Sequence, residues 1–186
     1  GDRQVVRTSS GTLYAFMNNC GMWKSSNESS WTEQDSANKP SCSQSTNRTP
    51  SIAIDSNNLI HITFLTYTTY AAVVYKTFDT ATDSFGVSAE IGTSTDAFWS
   101  TSLAVDSNNK PHIAYSYYEF DGISTFDSYV MYVNKTSGSW GSPIFIAASF
   151  DTFDAEQYDI GSIAINEDNI PEIIYIHSSF NDLSAA

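Results

Sequence analysis

Three stretches of this 186-residue chain are near-copies of one another: Ser51-Ile-Ala-Ile-Asp-Ser-Asn-Asn-Leu-Ile-His-Ile-Thr-Phe64, Ser102-Leu-Ala-Val-Asp-Ser-Asn-Asn-Lys-Pro-His-Ile-Ala-Tyr115 and Ser162-Ile-Ala-Ile-Asn-Glu-Asp-Asn-Ile-Pro-Glu-Ile-Ile-Tyr175. A fixed unit recurring at this scale confines the chain to a repeat architecture, in which each unit packs chiefly on its neighbours. A fainter copy, 5–16, opens the chain, so that Arg7, Asp55, Asp106 and Asn166 recur 48, 51 and 60 residues apart. Each copy joins two alternating apolar runs through a polar turn, the pattern of a two-stranded hairpin with a buried face. Ile52, Ile54, Ile62 and Phe64, with Leu103, Val105, Ile113 and Tyr115, are the expected core positions. No segment reads as a helix.

The remainder of each unit also repeats. A third run follows the hairpin at Met22-Trp23-Lys24, Val73-Val74-Tyr75-Lys76 and Tyr129-Val130-Met131-Tyr132-Val133, and a polar turn then leads to an aromatic, Trp31, Phe85 or Trp140, that opens a fourth. Four antiparallel strands in about 50 residues is the size of one propeller blade. The expected fold is therefore all-β: about 3.5 four-stranded blades of a partial β-propeller, with units near 1–47, 48–98, 99–158 and an incomplete 159–186. Within such a unit the loops between second and third strands share one end with the connections between units, and the hairpin turns share the other.

At the turn before the fourth run, Ser25-Ser-Asn-Glu-Ser-Ser-Trp31 resembles the BNR (Asp-box) repeat, Ser/Thr-x-Asp-x-Gly-x-Thr-Trp, of sialidase-like propellers, one residue shorter and with Asn27 for Asp and Ser29 for Gly. The Ala-x-Asp-Ser-Asn-Asn-x-x-His-Ile hairpins are similar to tandem propeller repeats of large secreted proteins. The resemblance implies a fold rather than an activity, because propellers host unrelated functions. A sialidase would need an arginine triad, a Tyr/Glu nucleophile pair and an acid/base Asp. The chain has only Arg3, Arg7 and Arg48, outside that family's arginine context, so a hydrolase is the alternative reading, with its catalytic residues in blades beyond this chain. A propeller closes by pairing its last blade with its first, so remaining blades from the same or another chain are expected partners.

The 21 acidic and 8 basic residues give a net charge of −13, which argues against nucleic-acid backbones and anionic membrane surfaces as partners. No apolar run approaches the roughly 18 residues of a membrane span. Richness in Ser, Thr, Asn and Tyr suits a secreted or extracellular-surface protein. The sequons at Asn27, Asn47 and Asn134 are candidate N-glycan acceptors there. Cys20 and Cys42 fall at the same end of the expected blades, and a disulfide between them would contribute about 3 kcal/mol on the loop-entropy argument, the other reading being two free thiols.

Asp55-Ser-Asn57 and Asp106-Ser-Asn108 begin like calcium loops, yet Thr66 and Tyr117 stand where the bidentate Glu is needed. Turn formation by Asp and Asn accounts for them without a metal, and no cofactor is expected. His61, His112 and Glu172 occupy equivalent positions, which favours a structural role over catalysis.

One surface stands apart. The segments 116–127 and 149–159 are long, aromatic and acidic, and strand direction brings them to the same end, beside Asp96, Phe98 and Trp99. Trp99, Tyr117, Tyr118, Glu119, Phe120, Phe150, Phe153 and Tyr158 are the candidate binding residues. Rings beside carboxylates suit sugar C–H faces and hydroxyls, and equally a protein subunit interface or loops packing their own aromatics. The expected function is a non-catalytic binding or structural module of a larger secreted, envelope, appendage or virion protein.

Overall fold

The computed structural model describes residues 4–17, 19–42, 50–67, 70–94, 97–120, 126–136, 138–149 and 157–178. Among them every regular element is a strand, and the strands form four antiparallel sheets in chain order. Sheet 1 contains β1 (Val5–Arg7), β2 (Leu13–Phe16), β3 (Met22–Ser25) and β4 (Thr32–Gln34). Sheet 2 contains β5 (Ser51–Ile54), β6 (Leu59–Tyr67) and β7 (Ala71–Asp79), with β8 (Ser84–Phe85) and β9 (Ala89–Ser94) both on the outer side of β7. Sheet 3 repeats this with β10 (Ala97–Val105), β11 (Pro111–Phe120), β12 (Phe126–Thr136), β13 (Ser139–Trp140) and β14 (Ile144–Ser149). Sheet 4 pairs β15 (Gln157–Ile165) with β16 (Pro171–Ser178). The outermost strand of sheets 2 and 3 is thus broken in two, and a register shift in β7 and β12 accompanies the second piece.

The hairpin turns explain the repeat. The first-position side chain accepts two backbone N–H groups: Asp55 Oδ1 from Asn57 (2.9 Å) and Leu59 (2.8 Å), Asp106 Oδ1 from Asn108 (2.9 Å) and Lys110 (2.7 Å), Asn166 Oδ1 from Asp168 (3.0 Å) and Ile170 (2.9 Å). The fourth position is left-handed, with Asn58, Asn109 and Asn169 at φ of 61, 62 and 61° and Gly11 at 91°. Asn tolerates that region because its short amide bonds locally, and Gly because it lacks Cβ. In the first unit Thr8, not Arg7, fills the first position, its Oγ1 receiving the Thr12 N–H at 3.0 Å, so the first spacing is 47 residues. Neighbouring Arg7 instead pairs with exposed Glu28 at 2.7 Å.

Consecutive sheets pack face to face. Val6, Tyr14, Phe16 and Met22 of sheet 1 meet Ile52, Ile60, Ile62, Phe64 and Phe78 of sheet 2. The other face of sheet 2, Leu65, Val73 and Tyr75, meets Phe98, Leu103, Ile113 and Tyr115, and beyond sheet 3 Ala114, Val130 and Tyr132 meet Ile160 and Ile163. Sheets 2 and 3 are therefore apolar on both faces, which is why their strands lack a clean alternation. Of the expected core positions, Ile52, Ile62, Phe64, Leu103, Ile113 and Tyr115 are buried, while Ile54 and Val105 are partly so. Both flank a groove of about 340 Å3 along which β5, β10 and β15 lie side by side.

Cys20 and Cys42 are joined by a disulfide, their Cα atoms 5.8 Å apart, and Cys20 is fully buried in the core between sheets 1 and 2. Such a bond belongs to oxidising compartments. In the turn resembling an Asp box, Asn27 Oδ1 accepts the N–H groups of Ser29 (3.1 Å) and Ser30 (3.0 Å), and Glu28 rather than Ser29 takes the left-handed φ of 64°.

Candidate functional site

The aromatic and acidic residues gather at the end of sheets 2 and 3 opposite the hairpin turns. A groove of about 350 Å3, at the small end of the roughly 300–1,000 Å3 typical of ligand pockets, runs between β9 and β11. Strand alternation places Tyr115, Tyr117 and Glu119 on the side facing it. Tyr118 points the other way and is buried, 7% exposed. Phe98 stands 5.7 Å from both Tyr115 and Tyr117 between ring centroids. Tyr117 lies directly across the ladder from Tyr129, and the two rings stack at 4.8 Å with 15° between their planes. Phe145, more than half exposed, meets the far side of Tyr129 edge-on at 6.4 Å.

The next outward pair on the same two strands is Glu119 opposite Asp127. Like charges directly across a ladder destabilise a sheet, so folding alone does not favour this pairing. The Tyr129 hydroxyl donates to Asp127 Oδ2 at 3.4 Å. Burial, then Asp127 and Glu119, push the Tyr129 phenol up to about 12; burial does the same for Tyr115, to about 12, and raises Tyr117. These phenols stay protonated at neutral pH and serve as donors. Gly92 forms part of the opposite wall. A Cβ there would lie 3.1 Å from the Tyr115 hydroxyl and 3.3 Å from its ring, so a side chain would press on the groove wall.

Of the residues expected from sequence, Tyr117 and Glu119 converge on this groove. Phe150 and Phe153 lie outside the described residues, as do Asp96 and Asn47; Trp99, Phe120 and Tyr158 are placed by backbone alone, on β10, β11 and β15. Tyr129, Phe145 and Gly92 went unrecognised. Tyr129 was discoverable, because pairing the 116–120 run with the 126–130 run across a short loop sets it opposite Tyr117. Asn27 is exposed and Asn134 half-buried, which leaves Asn27 the more accessible sequon.

The histidines sit at the turn end, each hydrogen-bonded through Nδ1 while its buried Nε2 has no hydrogen-bond partner among the described residues. Tyr75 Oη lies 2.7 Å from His61 Nδ1, and Tyr132 Oη 2.7 Å from His112 Nδ1. Each Nε2 lies nearest a carboxylate, Asp55 Oδ2 at 3.5 Å and Asp106 Oδ2 at 3.6 Å, an arrangement that favours the ring proton on Nε2 with the tyrosine proton accepted at Nδ1. Burial lowers both imidazoles below their usual range against the pull of the aspartates. Among the described residues no three His, Cys, Asp or Glu side chains form a metal-binding group. Compared with known proteins, the chain matches no protein-family model and no curated protein.

Proposed function

We propose that the chain is a non-catalytic extracellular binding module, part of a sialidase-like β-propeller, whose contact surface for a neutral glycan is the groove between sheets 2 and 3. The observation that carries this reading is the opposed Glu119–Asp127 pair beside the stacked Tyr117 and Tyr129. Aromatic rings cover the C–H faces of a sugar, and carboxylates accept its hydroxyl hydrogens, which relieves the oxygens that the ladder leaves facing one another. Anionic sugars are disfavoured, because no cation lines the groove among the described residues to offset the repulsion. The disulfide and the exposed Asn27 sequon support an extracellular setting.

Glycan-array binding of Tyr117→Ala and Glu119→Gln tests the reading, with sedimentation velocity run in parallel. Tyr117→Ala is expected to weaken binding roughly tenfold or more, as loss of a central aromatic anchor does. Unchanged glycan binding in both variants, with the fold intact by circular dichroism, sinks the proposal; altered self-association instead assigns the groove to a protein subunit.

A further inference from the structure

A second set of hydrogen bonds, independent of the groove, crosses every junction between units at the hairpin turns. The left-handed asparagine of each turn reaches back and accepts the backbone N–H of the second turn residue of the preceding unit. Asn58 Oδ1 takes the Ser9 N–H at 2.8 Å, Asn109 Oδ1 the Ser56 N–H at 3.1 Å, and Asn169 Oδ1 the Ser107 N–H at 2.9 Å. The serine hydroxyls reinforce the first two, Asn58 Nδ2 donating to Ser9 Oγ at 3.0 Å and Ser56 Oγ donating to Asn109 Oδ1 at 2.9 Å. A second link follows along the first strands: Leu103 N–H donates to Ser51 Oγ at 3.1 Å and Ile163 N–H to Ser102 Oγ at 3.2 Å. The latch is directional: the units of sheets 2 and 3 each offer a serine oxygen and a turn N–H forward and an asparagine backward, while the first unit, with Gln4 and Gly11 at those positions, offers the turn N–H forward.

Sheet 4 repeats the forward half with nothing set against it among the described residues. Glu167 occupies the position of Ser56 and Ser107, and exposed Ser162 that of Ser51 and Ser102. Ile174 and Ile176 stand where Ala114 and Ser116 of sheet 3 are wholly buried, yet they are 68% and 57% exposed. Exposed Ala164 completes the same face.

We infer that this edge of sheet 4 receives another unit of the same repeat, one whose hairpin turn carries asparagine at its left-handed fourth position. The occupant follows from continuity with three junctions that share the asparagine link, the last two of which also share the serine link: its asparagine takes the Glu167 N–H, its first strand donates to Ser162 Oγ, and its apolar face covers Ala164, Ile174 and Ile176. A second copy of this chain is the wrong partner. Its leading unit has Gly11 at that position, which supplies no acceptor, and its Asn58, Asn109 and Asn169 are already engaged.

The test uses the full chain and, as probe, a backbone-cyclised peptide of residues 102–115 containing Asn109. Binding is followed by titration and by hydrogen exchange at the Glu167 amide. The peptide is expected to bind and to protect that amide, and Asn109→Ala in the peptide or Glu167→Pro in the chain should each weaken binding roughly threefold to tenfold, the size of one net hydrogen bond. In the chain itself, Asn169→Ala should speed exchange at Ser107 while Ser56 stays slow. No binding at millimolar peptide, binding indifferent to both substitutions, or unchanged exchange at Ser107 overturns the inference. Self-association of the wild-type chain that Glu167→Pro abolishes would assign the edge to a second copy and overturn it as well.

Discussion

At the hairpin-turn end of sheets 2 and 3, Asp55 and Asp106 each accept two backbone N–H groups and face a buried imidazole that is held from behind by a tyrosine hydroxyl. At the opposite end, Glu119 and Asp127 are paired across a ladder beside two stacked tyrosines, and the Tyr129 hydroxyl donates to Asp127. Both ends set carboxylates beside tyrosines. At the turn end the aspartates and the tyrosine hydroxyls find partners inside the unit, only the imidazole Nε2 atoms standing just short of a hydrogen bond to their carboxylates, and the arrangement recurs in two consecutive units, the mark of a structural device. At the loop end exposed Glu119 and part-buried Asp127 oppose each other on sheet 3 beside the groove, the kind of local conflict that concentrates at functional surfaces.

The contrast breaks first at the turn end. Asp106→Ala removes the carboxylate nearest the buried His112 Nε2 and frees two turn N–H groups, and should cost about 2–3 kcal/mol in chemical denaturation. A loss below about 0.5 kcal/mol would mean that the turn end is no more built than the loop end.

Acid separates the two ends next. His61 and His112 have folded pKa values below the unfolded 6.5, so the unfolded chain binds more protons as the pH falls through that value, and stability drops until the folded groups titrate as well. Asp106 adds loss at lower pH: burial raises its carboxyl, but the N–H groups of Lys110 and Asn108 together with His112 hold it below 3.8, so its contribution is full above 3.8 and fades beneath. Denaturation midpoints should therefore begin to fall below about pH 6.5, and His61→Gln with His112→Gln should flatten that slope. A slope unchanged in the double variant would show that the imidazoles are not buried neutral.

The smallest effect has the opposite sign. Glu119→Gln removes the like-charge pairing with Asp127 and is expected to raise stability by about 0.2–1 kcal/mol while weakening glycan binding. A destabilised Glu119→Gln would show that the carboxylate serves the fold after all.

Much of this was legible in the residues. The two Asp-Ser-Asn-Asn turns and the Asn-Glu-Asp-Asn turn marked three hairpins because the determinants are local: a side chain that caps its own turn and a residue that tolerates positive φ. Strand direction placed both thiols at one end and made the cysteine pairing plausible, and the structure joins them. The first turn was read one residue early, since Thr8 caps it through a hydroxyl and the chain there lacks the Asp or Asn that opens the other turns.

What the sequence determined by itself was therefore period, strand content and which end of the sheets each loop reaches, all consequences of backbone geometry within one unit. Only the tertiary structure decided which of Tyr117 and Tyr118 opens to the groove, because the run Tyr115-Ser-Tyr-Tyr-Glu119 lies in a sheet buried on both faces and has no apolar–polar alternation to mark an exposed side. It also decided that Asn58, Asn109 and Asn169, each adequate as a turn residue alone, spend their amides on the neighbouring unit, for a hydrogen bond across 49, 53 or 62 residues depends on how two sheets pack and not on either turn.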